Sequence, residues 1–486
     1  MAEAPNGLRQ QAAGGIRWTA SATGINAALN FLQTAVLAHF LLPSDFGLGS
    51  MVVVVVAFAQ MFADAGVSSA IVYRHEPTRA ELASLYWFNV ACGVAIFAVV
   101  NVATPLIVGL FNEPRLAMPL RLASLAFLIA PFGQQFQFLL QKELRFRSLA
   151  VTTTSGYVAS LLVAVALGMR GAGVYALVFG QLANTLIRTA LLVRVQWRNR
   201  PAWHFARSDL SEYLGFGLYQ TGDRAANFFN AYLLHGLIGS MLGAQVLGIY
   251  TLAFELAFKP LDAVTPIVTR VAFPVLARIR DDLGRVRRGY LSMLRLLSTV
   301  NFPIALATAA LAPIIVPAIY GDAWRPAIPL VEVLALVALL RSSGSPIGAL
   351  LLGLGKADWG FWWSLGKTLL QLPGLYIGIR LNQVYGAAVA YLIMQVAFTA
   401  AAYALLVRQL LGPCLAEYVR TFLPALGLAV AVAATIRISW PLLGETSLTI
   451  QLVLLLALGA VAYLGFAALF ARQLLSEMLQ MVRSRK

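Results

Sequence analysis

Charged residues are scarce in this sequence. Asp, Glu, Lys and Arg together make up 12% of its 486 residues, whereas hydrophobic residues make up 60%. Soluble globular proteins carry about 25% charged residues, which help to cover their surface. The composition therefore excludes an ordinary soluble protein of this length and indicates apolar helices that cross a membrane.

Cysteine and histidine are also rare, and this excludes several kinds of site. Cys92 and Cys414 both lie in apolar runs, and the four histidines are scattered along the chain. Neither residue type shows the spacing of metal ligands or of a disulfide framework. No set of nucleophile, base and orienting group can be assembled, and no Walker A motif is present. We therefore expect a protein that is not an enzyme, binds no metal or cofactor, and does not consume ATP.

What the sequence does contain is a series of long apolar segments separated by short polar links. About 20 residues of helix cross the hydrocarbon core of a bilayer. Hydropathy divides the chain into about fourteen such spans and predicts an all-α, polytopic membrane protein. The predicted spans are 15–41, 46–72, 81–111, 116–140, 148–169, 172–195, 211–241, 246–279, 289–318, 326–353, 357–379, 384–407, 416–437 and 448–471.

Lys and Arg are concentrated in every second link, and the formal net charge is +16. The link near 278–288 is rich in arginine, whereas the links on the opposite side hold only isolated basic residues such as Arg437. Positive residues accumulate on the cytoplasmic side of membrane proteins, so we expect both termini in the cytoplasm. Because the basic residues lie in links and not in a soluble module, we expect no nucleic-acid partner.

Two turns in the sequence resemble each other at an offset of about six spans. Leu42–Leu48 and Leu242–Tyr250 both combine a small or polar turn with a glycine and an apolar segment. An offset of six spans returns the chain to the same side, which predicts two parallel repeats. The predicted organisation is an N-lobe at 1–195, a cytoplasmic linker at 196–210, a C-lobe at 211–408, and two extra helices with a basic tail at 409–486.

Polar residues in the first and fourth spans have two interpretations. They can form hydrogen bonds between helices, or they can form the wall of an aqueous cavity. The glutamines of the fourth span suit sugar hydroxyls, since an amide both donates and accepts, but they could equally satisfy backbone groups freed by Pro131. The candidate residues are Asn26, Asn30 and Gln33 in the first span, and Gln134 and Gln137 in the fourth.

Cations inside the predicted spans are candidates for contact with an anionic substrate. A charge at mid-bilayer is costly unless it is paired or faces a wet interior. The planar fork of Arg224 matches phosphate oxygens, although it could instead pair with an acid such as Glu255. Arg341 and Lys367 have no acid close by on their own helices, so a distant acid or a bound anion must compensate them. The full set of candidates is Arg17, Arg224, Arg270, Arg341 and Lys367.

Three acids in the seventh and eighth spans are candidates for ion coupling. They are Asp223, Glu255 and Asp262. Glu255 also lies four residues before Lys259, a spacing typical of a structural ion pair on one helix face. Whether a proton gradient, a sodium gradient or neither drives the protein stays open at this point.

Five short motifs occur in order along the chain. They are Leu42–Leu48, Phe62–Gly66, Gly243–Tyr250, Arg270–Pro274 with Asp281 and Asp282, and Tyr320–Trp324. Together they resemble the polysaccharide transporter (Wzx-type) family of the multidrug/oligosaccharidyl-lipid/polysaccharide exporter superfamily. The resemblance covers nearly the whole chain and is similar to that of colanic-acid and xanthan-type exporters.

The resemblance implies two six-helix lobes in a V, two extra helices, and alternating access. It implies a flippase that moves an undecaprenyl-diphosphate-linked oligosaccharide across the bacterial inner membrane for exopolysaccharide or lipopolysaccharide synthesis. Polymerase and chain-length or export proteins are the expected partners. A cation-coupled drug or lipid exporter of the same superfamily is the alternative. A membrane polymerase or ligase is less favoured, because every outer link is short.

Overall fold

The computed structural model describes residues 6–63, 78–197, 201–444 and 446–470. The chain is helical throughout these ranges, and they contain no strand. This confirms the predicted all-α class. Within the described helices, side chains are not described at 6–17, 211–227, 230–231, 263–264, 266–275, 277–278, 357, 467 and 469–470.

Eight helices precede the predicted linker, and seven follow it within the described ranges. The first eight are α1 (Asn6–Leu37), α2 (Pro43–Gln60), α3 (Arg79–Phe111), α4 (Ala117–Ser124), α5 (Ala126–Ile129), α6 (Pro131–Lys142), α7 (Phe146–Met169) and α8 (Val174–Val195). The others are α9 (Ser211–Arg278), α10 (Leu283–Ile315), α11 (Ile328–Gly353), α12 (Ala357–Ala402), α13 (Arg408–Leu411), α14 (Leu415–Ser439) and α15 (Leu448–Phe470).

Short segments of tighter or wider helix connect several of these elements. Four are 3₁₀ helices, and two are π-helical turns that extend α10 and α12. The 3₁₀ segments are Pro114–Leu116, Arg207–Leu210, Asp322–Ala327 and Trp440–Leu443, and the π-helical turns are Val316–Tyr320 and Tyr403–Val407.

Breaks inside the long helices fall where the sequence predicts links. α9 departs from helical geometry at Gly243, whose φ of 82° is accessible to glycine without steric cost. This confirms the turn predicted between spans 211–241 and 246–279. α12 breaks at Asn382 and Gln383, the link predicted between its two spans.

Ten described helices are long and apolar enough to cross a membrane, or eleven if a bent pair counts as one span. The bent pair is Pro114–Ile129 with Pro131–Lys142, and its two parts form an angle of 49°. Pro131 explains the bend, because proline lacks a backbone donor and clashes with the preceding turn. A polytopic membrane protein is therefore confirmed, whereas the number of fourteen spans remains a prediction.

The chain divides into two compact units, Met1–Gly248 and Ile249–Lys486. In the first unit, α7 packs against α8 and α1, and α6 packs against α8. In the second unit, α10 packs against α11 and α14, and α11 packs against α12. The predicted lobe, linker and extra-helix boundaries remain a prediction.

The two similar turns of the sequence lie against each other in the first unit. A side chain added at Gly47 would overlap the carbonyl group of Ala244, and one added at Gly248 would overlap the carbonyl oxygen of Pro43. Only glycine permits backbones to approach so closely. Gly47 and Gly248, which belong to the two similar turns, are therefore the positions at which α2 packs closely against the part of α9 that follows Gly243.

The second unit is organised around α10, which is buried along most of its length. Tyr290 and Leu294 are fully buried in a core that also contains Leu350 of α11 and Tyr418 of α14. Prolines inside helices free backbone groups, and such breaks are tolerated in membrane proteins beside other helices. α10 carries two of them, Pro303 and Pro313.

Candidate functional site

A cluster of charged and aromatic side chains lies within the second unit. Arg341 occupies the middle of α11, where its guanidinium carbon lies 5.3 Å from the centre of the Phe258 ring of α9. This is the geometry of a cation–π contact, in which the electron-rich ring face attracts a positive charge. The Arg341 side chain is otherwise exposed. An aromatic ring thus positions this guanidinium without neutralising it.

Lys367 of α12 joins this cluster. Its ammonium nitrogen lies 5.7 Å from the centre of the Trp363 ring, one turn earlier on the same helix. Arg341 is near enough to Lys367 for the two positive charges to interact. Because like charges repel, this arrangement raises the electrostatic cost of both cations.

Asp262 of α9 contributes negative charge near Arg341. Among the described side chains, however, no carboxylate lies within ion-pair distance of Arg341 or Lys367. Within the described side chains, the two cations thus have no carboxylate as a close counterion. Anion binding by Arg341 and Lys367 stays a prediction from the sequence.

Glu255 is engaged in a local contact. Its carboxylate lies 2.8 Å from the Lys259 ammonium, one turn along α9. This is the structural ion pair that the i, i+4 spacing predicts. Of the two acids of the eighth span, Asp262 is thus the one whose side chain is not held in an ion pair within the described residues.

The first unit contains a partly buried cation that the sequence analysis did not single out. Arg188 of α8 is partly buried, and its guanidinium donates a hydrogen bond of 2.6 Å to the side-chain oxygen of Gln137 on α6. The position of Arg188 well inside the predicted span 172–195 is the sequence feature that could have identified it. Gln137, a predicted cavity residue, therefore already has a partner within the protein.

The other predicted polar residues of the first unit are partly buried on α1 and α6. The side-chain oxygen of Asn26 is inaccessible to solvent and has no hydrogen-bond partner, whereas Asn30 and Gln134 take part in contacts. Gln33 is half-buried. A buried amide oxygen without a donor is unusual, since it loses its water without a replacement. These observations leave the predicted roles in sugar binding as predictions.

Four of the predicted site residues have side chains outside the described part of the structure. They are Arg17, Asp223, Arg224 and Arg270. Their assignment to diphosphate binding or ion coupling therefore stays a prediction. No group of histidine, cysteine or acidic side chains suited to hold a metal ion occurs among the residues that are described.

The predicted linker is attached to the first unit. The Ser84 hydroxyl of α3 donates a 2.7 Å hydrogen bond to Asp209, and Trp87 stacks on Trp203 with ring centres 4.4 Å apart. This hydrogen bond, together with the nearby His204 imidazole, lowers the pKa of the Asp209 carboxyl. The residues from 201 to 210 are thus held against α3.

Sequence comparison identifies the family. The family described as "Polysaccharide biosynthesis protein" matches residues 36–329. The chain belongs to this family. Among its relatives is "Lipopolysaccharide biosynthesis protein WzxC" of Escherichia coli (strain K12), 33% identical over 85% of this chain and 84% of that protein. "Teichuronic acid biosynthesis protein TuaB" of Bacillus subtilis (strain 168) is 32% identical over 80% of this chain and 81% of that protein.

Solved structures show which fold this polysaccharide biosynthesis family member has. "Lipid II flippase MurJ, inward closed conformation" matches with a TM-score of 0.77, 14% identity, 95% of this chain and 100% of that chain. An inward-facing multidrug resistance MATE family transporter of the MOP superfamily matches with a TM-score of 0.59, 15% identity, 81% of this chain and 94% of that chain. The predicted polysaccharide family is confirmed, and the chain has the fold of these two proteins.

Proposed function

We propose that this chain moves an oligosaccharide repeat unit, linked to undecaprenyl diphosphate, from the cytoplasmic to the periplasmic leaflet by alternating access. Membership in the polysaccharide biosynthesis family supports the substrate class. The exporter fold supports transport. The product is used in exopolysaccharide or lipopolysaccharide synthesis.

The observation that carries this proposal is the pair Arg341 and Lys367. A diphosphate is strongly anionic, and its oxygens accept hydrogen bonds from both guanidinium and ammonium groups. Holding two cations near each other inside a membrane protein is unfavourable until an anion arrives. The substrate's diphosphate supplies that anion, and Arg17, Arg224 and Arg270 are further proposed contacts.

Polar groups of the first unit are proposed to face the sugars. Asn26 has a buried oxygen without a donor, and sugar hydroxyls are donors that could reach such a group during transport. Asn30, Gln33 and Gln134 are proposed to contact the sugars beside Asn26. Gln137 is already bound to Arg188.

If an ion gradient drives transport, Asp262 is the proposed coupling group among the described acids. Glu255 is bound to Lys259, and Asp223 has no described side chain. Asp262 shares its surroundings with Arg341, so gain of a proton or sodium ion there would change the charge that the substrate meets.

The proposed location is the bacterial inner membrane with both termini in the cytoplasm. The arginine-rich link near 278–288 supports this orientation. A polymerase and chain-length or export proteins are the proposed partners, because they would consume the translocated repeat unit. Cysteine labelling from either side of the membrane, at an exposed link residue such as Ser208, tests the orientation.

The function is tested in cells whose polymer export depends on this chain. Arg341→Gln and Lys367→Gln should each reduce polymer output about tenfold or more, since each removes a charge-assisted contact worth about 1.5–3 kcal/mol. Lipid-linked repeat units should then accumulate on the cytoplasmic face. Arg325→Gln is the matched control, because Arg325 is exposed and paired with Asp322 at 2.7 Å. Wild-type output from both variants, at equal expression, would remove the cluster from the mechanism.

A further inference from the structure

A second group of arginines lies at one end of the second unit, where α10 and α14 begin. Its side chains line a cavity of about 360 Å³ between the two helices, which includes Arg288 and Arg295 of α10 and Arg420 of α14. Cavities that bind small ligands start at about this size. The cluster of Arg341 and Lys367 belongs to other helices and is not part of it.

The spacing of these residues places them on the facing sides of two helices. Arg288, Ser292 and Arg295 lie at positions i, i+4 and i+7 of α10, which share one face. Glu417 and Arg420 lie at i and i+3 of α14. α10 and α14 pack against each other. The cavity is therefore a feature of helix packing and not of a loop.

The acid in this cavity already has a partner. Arg287 contacts the two carboxylate oxygens of Glu417 at 2.6 Å and 3.0 Å, a two-point ion pair. Among the described side chains, no carboxylate pairs with Arg288, Arg295 or Arg420. Three guanidinium groups, each with five N–H donors, thus line a small cavity whose acid is already paired with Arg287.

Aromatic contacts join the two helices that form the cavity. Phe422 of α14 stacks on Phe302 of α10 with ring centres 5.9 Å apart, and it also contacts Tyr418 at 5.0 Å. Tyr418 and Tyr290 are buried in the core of the unit. Because both helices are fixed by these contacts, a ligand would not have to order the backbone when it binds.

The surroundings favour a lipid over a free anion. Leu423 follows Arg420 by one turn of α14 and is 55% exposed, and Val419 and Leu415 continue the same apolar face with exposures of 46% and 56%. Positive charge beside a lipid-facing apolar surface matches a molecule with an anionic headgroup and acyl chains. Basic pockets between membrane helices on the cytoplasmic side bind such headgroups, and the positive-inside rule places this end there.

We propose that the cavity between α10 and α14 binds the phosphodiester headgroup of an anionic phospholipid of the surrounding bilayer. Arg288, Arg295 and Arg420 contact the phosphate, Ser292 donates a further hydrogen bond, and the acyl chains cover the apolar face of α14. The site does not depend on the transported substrate, so it stands or fails separately from the proposed function.

Native mass spectrometry of the full-length chain tests this site with phosphatidylglycerol and with phosphatidylcholine of the same acyl chains. Phosphatidylglycerol should bind the wild type more tightly, and Arg288→Gln with Arg295→Gln should weaken it about thirtyfold. The matched control is Arg280→Gln with Arg285→Gln, which removes the same charge from exposed arginines outside the cavity. It should change the affinity by no more than about threefold.

Three results would overturn the proposal. One is equal affinity for the two lipids, and another is an equal loss in the control, which would indicate unspecific attraction by the basic link. The third is binding of pyrophosphate that needs the same arginines and competes with phosphatidylglycerol, which would assign a soluble anion. If the double variant does not fold, Arg420→Gln alone is used, with an expected loss of about fivefold.

Discussion

The Arg188 guanidinium of α8 donates a hydrogen bond to the side-chain oxygen of Gln137 on α6, across 2.6 Å. Gln137 follows the break at Pro131, so this bond ties the second half of a bent span to its neighbour. The backbone of Gly133 also lies against Thr189 in the same region. In this unit a partly buried cation is bound to a side chain of a neighbouring helix, whereas no described side chain forms such a hydrogen bond with Arg341 or Lys367 in the second unit.

Gln137→Ala is expected to destabilise the protein by about 1.5–3 kcal/mol, because it leaves a partly buried guanidinium without its acceptor. Gln137→Glu should restore the contact as an ion pair. Thermal unfolding in detergent measures both. Gln181→Ala on α8 is the control, since Gln181 is exposed. A loss no larger than that of the control would show that the Arg188 bond contributes nothing to stability.

The close approach of α2 and α9 gives a second prediction. Gly248→Ala should destabilise by about 1–3 kcal/mol, because its side chain would overlap the Pro43 carbonyl. Gly236→Ala, on the same helix but with open space around it, should be neutral or stabilising by up to about 1 kcal/mol. Unfolding in detergent should therefore separate the two substitutions, and equal stability would contradict the close contact.

Local patterns were sufficient to predict many features of this fold. Gly243 interrupts an apolar run, and the structure breaks there. Glu255 and Lys259 are four residues apart, and they pair. Both features depend on neighbours in sequence, whose relative position a helix fixes.

Contacts between distant segments were not predictable in this way. Gln137 and Arg188 are 51 residues apart, and Ser84 and Asp209 are 125 residues apart. Hydropathy identifies spans but does not specify which of them pack together. For the same reason the sequence indicated only that Arg288 belongs to an arginine-rich link, and the cavity that it shares with Arg295 and Arg420 became visible in three dimensions.

The linker contact gives a prediction about pH. The pKa of Asp209 is lowered by the Ser84 hydrogen bond and by His204. A group with a lowered folded-state pKa stabilises the docked linker above its unfolded pKa, about 3.9, and loses this effect as the pH falls through the folded value. Linker release should therefore need a pH below about 3.9. Near-UV circular dichroism measures linker release through the signal of the Trp87–Trp203 stack. This signal is obtained by subtracting the spectrum of the Trp203→Phe variant from that of the wild type.

Ser84→Ala removes the main cause of this shift, so release should move to higher pH. Ser208→Ala is the control, because Ser208 is an exposed residue of the same linker. Ser208→Ala should move the midpoint less, since the Ser208 contact to Asp209 is the weakest of those that lower the pKa. A midpoint that Ser84→Ala leaves unchanged would contradict the assigned cause.

We expect the ring of Phe258 to affect transport only through its cation–π contact with Arg341. Phe258→Leu keeps an apolar side chain but removes the ring face beneath the guanidinium, so polymer output should fall about two- to fivefold, the value of an exposed cation–π contact. Phe258→Tyr, which keeps a ring of the same width at this buried position, should retain output. In an Arg341→Gln background, Phe258→Leu should have no further effect, because the partner of the ring is already gone. An additive loss in the double variant would mean that Phe258 acts by packing, and the cluster would then lose its positioning residue.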